Sequence, residues 1–349
     1  MTYLQRTKTS FTTLNRQLYS KTARQWVLAT KYIRCTTVWR EQSEHILLQR
    51  RLVSIVNISF PASNTEKVSR ITMAQGFKLK QESRNTKDKL ILEDKFFGIF
   101  EDYLGSSTSQ SALVVARHID DAVPDAGKDE VDQFVWNTWG QLFQVAQQVQ
   151  HDDLAQDKLV KVVRELMLLP SGGTAGAWRD LPQLGWVIRD WFNFAPSAQH
   201  AGSEHADEIL NAWVNVNAFW ARLGGTGVIP VRDFAIWSLR QSLEDEEEVK
   251  GKVLDNRLLT AAQYVEYDGH ILHKLLVLGW EPSDAEAQMF KGGSLFDGQP
   301  GLSNKRWSFW ASRFEELAKK ASTEEASTAA ARASRLLQVW YEREKRADS

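Results

Sequence analysis

The amino-acid sequence predicts an all-α protein: a single multi-helix globular domain of about ten helices, preceded by a poorly ordered basic N-terminal segment. Three observations indicate this fold class. Apolar residues recur at steps of three and four along most of the chain, Gly and Pro separate these stretches without a long linker, and no stretch after residue 72 alternates persuasively like a strand. No repeat of fixed period favours a solenoid.

Residues 1–72 differ in composition from the rest of the chain. They hold twelve Lys/Arg and three Asp/Glu, whereas the remaining residues hold thirty-one and forty-one. The first forty residues contain eight Lys/Arg, eleven Ser/Thr and no acidic residue, which is typical of a mitochondrial presequence. Two other interpretations stay open: a disordered basic arm, and an upstream translation artefact with the working start at Met73. The resulting division is a basic extension (1–72), a linker (73–86) and an all-helical domain (87–345).

The predicted helices follow one another from Lys87, each bounded by a capping residue, Gly or Pro. Their ranges are Lys87–Leu104, Ser109–Val123, Asp129–Val149, Asp152 or Asp153 to Leu169, Leu181–Phe194, Glu204–Leu223, Pro230 to the acidic run Glu244–Glu248, Leu254–Leu278, Asn304–Ala321, and a closing helix that the capping box Ser322-Thr323-Glu324-Glu325 opens. Ser303 is the expected cap of the helix that begins at Asn304. We expect the acidic run to be a solvated helix end, because consecutive carboxylates cannot all face one ion.

The stretch Glu204–Leu223 is predicted to be the central core helix. Its apolar residues recur at helical spacing, acidic residues occupy its first turns, and Arg222 occupies its last. Asn215 falls opposite the apolar stripe, where we expect solvent. Asn217 falls inside the stripe, where an amide without partners would cost about 1–3 kcal/mol. Asp268 is a second polar residue on an otherwise apolar face, that of the later long helix.

Composition also bounds the chemistry. The one cysteine, Cys35, excludes an intrachain disulfide framework and a Cys-based zinc site, and it fits a reducing compartment. His270 and His273 share a face, but no further ligand is placed to complete a metal site. We therefore expect no metal and no cofactor. The acidic body argues against a nucleic-acid partner, and no apolar run reaches the length of a membrane span. The expected location is intracellular and cytoplasmic, or mitochondrial if residues 1–72 are a genuine presequence.

Two features invite a ligand-binding interpretation. Fourteen Trp residues predict a core of broad ring contacts, with an aromatic-walled pocket as the alternative. The Gly-rich loop at 171–176 lacks the Gly-Lys-Ser/Thr ending of a phosphate-binding P-loop. We interpret this loop as a flexible connection between helices.

The stretch Trp213-Val-Asn-Val-Asn-Ala-Phe219-Trp-Ala-Arg222-Leu223 resembles the central signature of an uncharacterised fungal family, domain of unknown function 3632. Further similar stretches are Asp132–Trp139, Trp178–Pro182, Phe234–Trp237 and Leu302–Trp310. The resemblance covers roughly residues 90–340. It implies a helical, intracellular protein of a filamentous fungus, with no established activity, cofactor or catalytic residue to carry over.

Two functional hypotheses follow, and the sequence does not decide whether the protein is an enzyme. The first is a non-catalytic, soluble helical interaction or regulatory protein with a protein partner and a wide surface patch. The alternative is a metal-free small-molecule binder or enzyme, cyclase- or isomerase-like, with a Trp-walled pocket. For the alternative, the candidate ligand-binding residues are Asn217, Arg222, Arg240, Asp268, Arg306 and Trp310. Convergence of Asn217 and Asp268 on an enclosed cavity would favour the binder.

Overall fold

A computed structural model describes residue 79 and residues 87–105, 110–245 and 249–347. Every regular element in these ranges is helical, which confirms the all-α prediction. The predicted extension (1–72) lies outside the described residues, as does the linker (73–86) apart from Leu79. The α-helices in chain order are α1 (Lys87–Leu104), α2 (Ala112–Asp120), α3 (Lys128–Gln148), α4 (Ala155–Leu168), α5 (Leu184–Phe192), α6 (Ala198–Ala201), α7 (Ala206–Gly225), α8 (Arg232–Leu243), α9 (Gly251–Gln263), α10 (Gly269–Val277), α11 (Asn304–Ala318) and α12 (Glu324–Ala347).

Helix α7 is the centre of the domain, as the sequence predicts. It packs against α3, α4, α6, α9 and α10, and every residue from Trp213 to Gly224 is buried. A helix that is buried on all sides has no solvated face. The expected exposure of Asn215 is therefore wrong: α3 covers that side of α7, and the Asn215 amide donates to the carbonyl of Gln147 (2.8 Å).

The predicted long helix Leu254–Leu278 is interrupted by a turn of π-helix, Tyr264–Asp268, between α9 and α10. The C-terminal end of α7 crosses this π turn at very short range. A Cβ at Gly225 would lie 1.9 Å from the carbonyl oxygen of Tyr267, and a Cβ at Gly224 would lie 2.6 Å from Oδ1 of Asp268. The two glycines therefore end α7 and also permit the crossing.

Tryptophan rings fill much of the core, as the composition predicts. Trp139, Trp178, Trp220, Trp307 and Trp310 have almost no exposed surface. Many of the rings meet edge to face, for example Trp139 and Trp178 with centroids 5.5 Å apart. This geometry suits the quadrupole of aromatic rings.

The Gly-rich loop at 171–176 is tied to α2 by a carboxylate. Oδ1 of Asp120 accepts hydrogen bonds from the Thr174 backbone (2.8 Å) and from the indole of Trp178 (2.7 Å), and Oδ2 accepts one from the Thr174 hydroxyl (3.0 Å). The backbone N–H of Thr174 in the loop is thus already bonded to the Asp120 carboxylate.

The N-caps of two helices can be compared with the sequence prediction. Ser303 caps α11 as predicted, because its hydroxyl accepts from the backbone of Arg306 (3.1 Å). Helix α12 is capped by Thr323, which accepts from the backbone of Ala326 (3.3 Å). Ser322 instead donates through its backbone and its hydroxyl to Asp255 (2.8 and 2.5 Å). Within the described ranges, no helix combines the length and apolarity needed to cross a bilayer.

Candidate functional site

Arg306 and Trp310, on successive turns of α11, belong to one closed network around Glu244. Nε and Nη2 of Arg306 donate to the two carboxylate oxygens of Glu244 (2.7 and 3.0 Å), and the Trp310 indole donates to the same carboxylate (2.5 Å). Nη1 of Arg306 donates to the carbonyls of Phe290 and Gly301. Glu244 and Arg306 have no exposed surface, so the expectation of a solvated Glu244 is wrong. The Arg306 guanidinium thus donates four hydrogen bonds, and it supplies the positive charge that a buried carboxylate requires.

Arg240, on α8, contacts the loop between α10 and α11 that Arg306 also contacts. Its Nη1 lies 3.3 Å from the carbonyls of both Met289 and Lys291. Together with Arg306, it fastens the loop between α10 and α11 to the body of the domain. The structure therefore brings Arg240, Arg306 and Trp310 together as anchors of this loop, and their polar groups point into protein.

Arg222 holds three segments around the end of α7. Its Nε donates to Asp157 of α4 (3.1 Å), and its Nη2 donates to the carbonyl of His151 (2.8 Å) and to the hydroxyl of Tyr267 (2.6 Å). Its guanidinium carbon also lies 3.6 Å from the centre of the Tyr267 ring. Only 5% of Arg222 is exposed, so the guanidinium is committed to these contacts.

Asn217 is satisfied inside the filled core. Its amide donates to the carbonyl of Trp213 (2.9 Å), and its oxygen accepts from the hydroxyl of Tyr264 (2.9 Å). Burial raises the pKa of Tyr264 well above its usual value; the charge of Asp268 adds to this rise, and a hydrogen bond with Ser238 opposes it. Tyr264 is thus a neutral phenol that links the π turn to α7, which is a structural role.

Asp268 differs from the other candidates because its carboxyl group has no partner. It is 1% exposed, and within the described part of the chain neither carboxyl oxygen forms a hydrogen bond. Burial alone raises the pKa of Asp268 well above its ordinary range. The side chain lies in the π turn, with Oδ1 against Gly224, and it does not line the large groove described below. The six predicted residues thus do not form one site, because Arg240, Arg306 and Trp310 lie together whereas Arg222, Asn217 and Asp268 each have different surroundings. Asn217 and Asp268 do not line a common cavity among the pockets of the described residues.

A large concave feature in the described residues lies elsewhere, along one side of α3. This groove has a volume of about 1300 Å³ and runs between α3, α5 and the first half of α7. None of the six predicted residues lines it. We call it the amide groove, after the side-chain amides among its lining residues: Asn137, Gln141, Gln144, Gln147, Gln148, Gln150, Asn211 and Asn215.

The amides reach the groove because of their helical spacing. Asn137, Gln141, Gln144 and Gln148 succeed one another at steps of four, three and four, so they share one face of α3. Gln141 is the most enclosed of these four, with 6% of its surface exposed. Among the described residues, no group forms a hydrogen bond with its side-chain amide. An amide presents two donors and an acceptor, so Gln141 offers both to an occupant of the groove.

Aromatic and titratable side chains complete the lining. Trp136, Trp191 and Trp213 contribute ring surface, and the exposed Phe194 stands at the rim. His151 pairs through Nε2 with Glu325 (2.8 Å), and its backbone is fixed by Arg222, as described above. Asp190 also lines the groove, and partial desolvation raises its pKa, an effect that Arg189 opposes.

A scan against family models gives a match over the centre of the chain. The model described as "Protein of unknown function (DUF3632)" matches residues 139–314, half of the chain. The chain belongs to this family. All six predicted residues lie within the DUF3632 region, and so does most of the amide groove, apart from Trp136, Asn137 and Glu325. Searches of curated proteins and of solved structures find no match.

Metal-binding geometry is not found in the described part of this DUF3632 protein, where no three His, Cys, Asp or Glu side chains cluster around a common point. His270 lies against the backbone of Gly225, and burial lowers its pKa. The ring of His273 stacks on Trp340 and lies tilted against Trp307. The two histidines therefore pack against different neighbours.

Sequence reasoning missed the amide groove, although one signal was present. Residues 141–150 contain five Gln, an unusual density within one apolar helix. A helical projection would have placed most of them beside one another. The projection could not show that no other described helix covers this face of α3.

Proposed function

We propose that this protein is a non-catalytic interaction protein that binds a segment of a partner polypeptide in the amide groove. The observation that carries the proposal is the open groove of about 1300 Å³ with the enclosed, unpartnered amide of Gln141 on its wall. The volume exceeds the 300–1000 Å³ usual for small-molecule pockets. Side-chain amides also complement the donors and acceptors of a peptide backbone.

The alternative proposal is a metal-free small-molecule binder or cyclase-like enzyme. The three Trp residues on the groove favour it, since they supply the aromatic walls it requires. The placement of its six candidate residues does not, because their polar groups serve internal contacts or, for Asp268, lie buried away from the groove. We therefore favour the polypeptide segment as the occupant.

The proposal includes a place of action inside the cell. The single cysteine supports it, because disulfide-rich chains are typical of oxidising compartments. The cytoplasm is the proposed location, or the mitochondrion if the basic extension acts as a presequence.

A peptide-display selection with a blocked variant tests the proposal. A Cβ at Gly140, on the groove face of α3, would meet nothing within 4 Å, so Gly140→Trp places an indole in the groove. Gly98 of α1 is equally open and lies outside the groove, so Gly98→Trp is the matched control. We expect random-library peptides that bind the parent and the Gly98→Trp variant but not the Gly140→Trp variant. Failure to recover any binder, or equal binding to all three proteins, would overturn the proposal.

A further inference from the structure

The charges around the amide groove all have one sign. The acidic residues that line it are Asp152, Asp190, Glu208 and Glu325, and no described lining residue is Lys or Arg. Its two histidines, His151 and His205, each lie beside one of these carboxylates. A concave surface with uncompensated negative charge focuses a field that attracts cations.

The described lysine and arginine side chains do not pair with three of the four groove carboxylates. Within the described ranges, no Lys or Arg forms an ion pair with Asp152, Asp190 or Glu325. Arg189, next to Asp190 in sequence, lies over the ring of Trp237, 5.9 Å from its centroid, and acts on Asp190 only by opposing the rise in its pKa. Asp152 and Asp190 therefore keep their charge available to an occupant, whereas the carboxylate of Glu325 is shared with His151.

Aromatic surface lies beside this charge. Trp136 and Trp191 are half-buried and Phe194 is 79% exposed. A Lys or Arg head group gains about 0.5–2 kcal/mol over the face of such a ring, and the aliphatic stem of either side chain covers apolar surface. Rings and carboxylates together match a basic side chain better than an acidic or a purely apolar one.

We propose that the segment bound in the amide groove is rich in Lys or Arg. This inference rests on the proposed function and adds the chemistry of the partner. The carboxylates select the basic side chains, the Trp rings pack against their stems, and the Gln and Asn amides bind the backbone. A segment and not a single amine is required, because the acidic groups and amides are distributed over α3, α5, α7, α12 and the loop at 150–152.

Fluorescence anisotropy on the full chain tests the charge preference. Three labelled peptides of about twelve residues are compared: repeats of Lys-Ala-Gln, of Ser-Ala-Gln and of Glu-Ala-Gln. We expect the lysine peptide to bind roughly tenfold or more tightly than the serine peptide and to weaken as salt screens the charges. Replacing two groove carboxylates, Asp152→Asn with Asp190→Asn, should remove most of that difference.

The controls separate this inference from the proposed function. Asp121→Asn with Asp125→Asn removes two exposed carboxylates outside the groove and should leave the affinities unchanged. Equal binding of the serine and lysine peptides, blocked by Gly140→Trp, would refute the charge preference while retaining the groove. Binding of no peptide, or binding that Gly140→Trp leaves intact, would refute the groove itself. Spermine that matches the lysine peptide in affinity would refute the requirement for a segment.

Discussion

Replacing Asp268 by Asn should stabilise the protein at neutral pH, which is unusual for a change at a fully buried position. The carboxyl group has no hydrogen-bond partner in the described residues, and Gly224 packs against it so closely that no space remains beside Oδ1. Ionisation at this site therefore costs free energy without compensation. Asn has nearly the same shape and carries no charge.

The size of the effect depends on pH in a defined direction. In the unfolded chain Asp268 ionises near its ordinary pKa of 3.8, whereas burial raises the pKa of the folded protein well above that value. Between the two pKa values only the unfolded chain releases its proton. The unfolding free energy of the parent then falls as pH rises through this window, by up to about 1.4 kcal/mol per pH unit. Below the window Asp268 is protonated in both states and contributes no such loss.

Urea denaturation at pH 4 and pH 7.5 measures this difference. We expect Asp268→Asn to be close to the parent at pH 4 and more stable at pH 7.5 by on the order of 1–3 kcal/mol. The matched control is Asp255→Asn, because Asp255 is also buried but accepts two hydrogen bonds from Ser322. That change should destabilise. A difference between Asp268→Asn and the parent that is the same at both pH values would refute the reasoning.

Two further pairs of variants test the fold. Arg306→Met leaves the buried Glu244 carboxylate without its cation, so it should lower the unfolding free energy by about 3–5 kcal/mol, or Tm by roughly 10 °C. Arg240→Met is the comparison, because Arg240 is half-buried and makes two 3.3 Å contacts. It should lower the unfolding free energy by less than about 1.5 kcal/mol. Comparable losses in thermal denaturation would contradict the assignment. Gly225→Ala forces a methyl group against a carbonyl of the π turn and should destabilise by roughly 1–3 kcal/mol, whereas Gly98→Ala, in an open helical position, should stabilise by about 0.5–1 kcal/mol.

The helical pattern was sufficient to predict that Asn217 of α7 and Asp268 of the π turn face the core. Asn217 and Asp268 both lie on the buried side where their spacing placed them. Periodicity reports one helix at a time, so it does not show which other element covers a face. Asn215 was predicted to meet solvent for this reason, and α3 covers it instead.

The sequence pattern could not predict which distant residues pair, for the same reason. Glu244 and Arg306 are 62 residues apart, and only the fold of the loop between α10 and α11 brings them together. The run Glu244–Glu248 resembles a solvated helix end when it is considered alone. The candidate site was also predicted from buried polar residues. The amide groove is a place where no other described helix packs against α3, and the pattern of residues along one helix does not show where such packing is absent.

Photo-crosslinking of the full chain with a lysine peptide tests the central claim most directly. The peptide carries a photoreactive group at one position, and mass spectrometry locates the adducts. Binding in the amide groove predicts adducts between residues 136 and 152, between residues 187 and 215, and at Leu259 or Glu325. All should be lost in Gly140→Trp and retained in Gly98→Trp. Adducts that concentrate outside these positions, or that persist in Gly140→Trp, would contradict the claim that this protein binds a basic polypeptide segment in the amide groove.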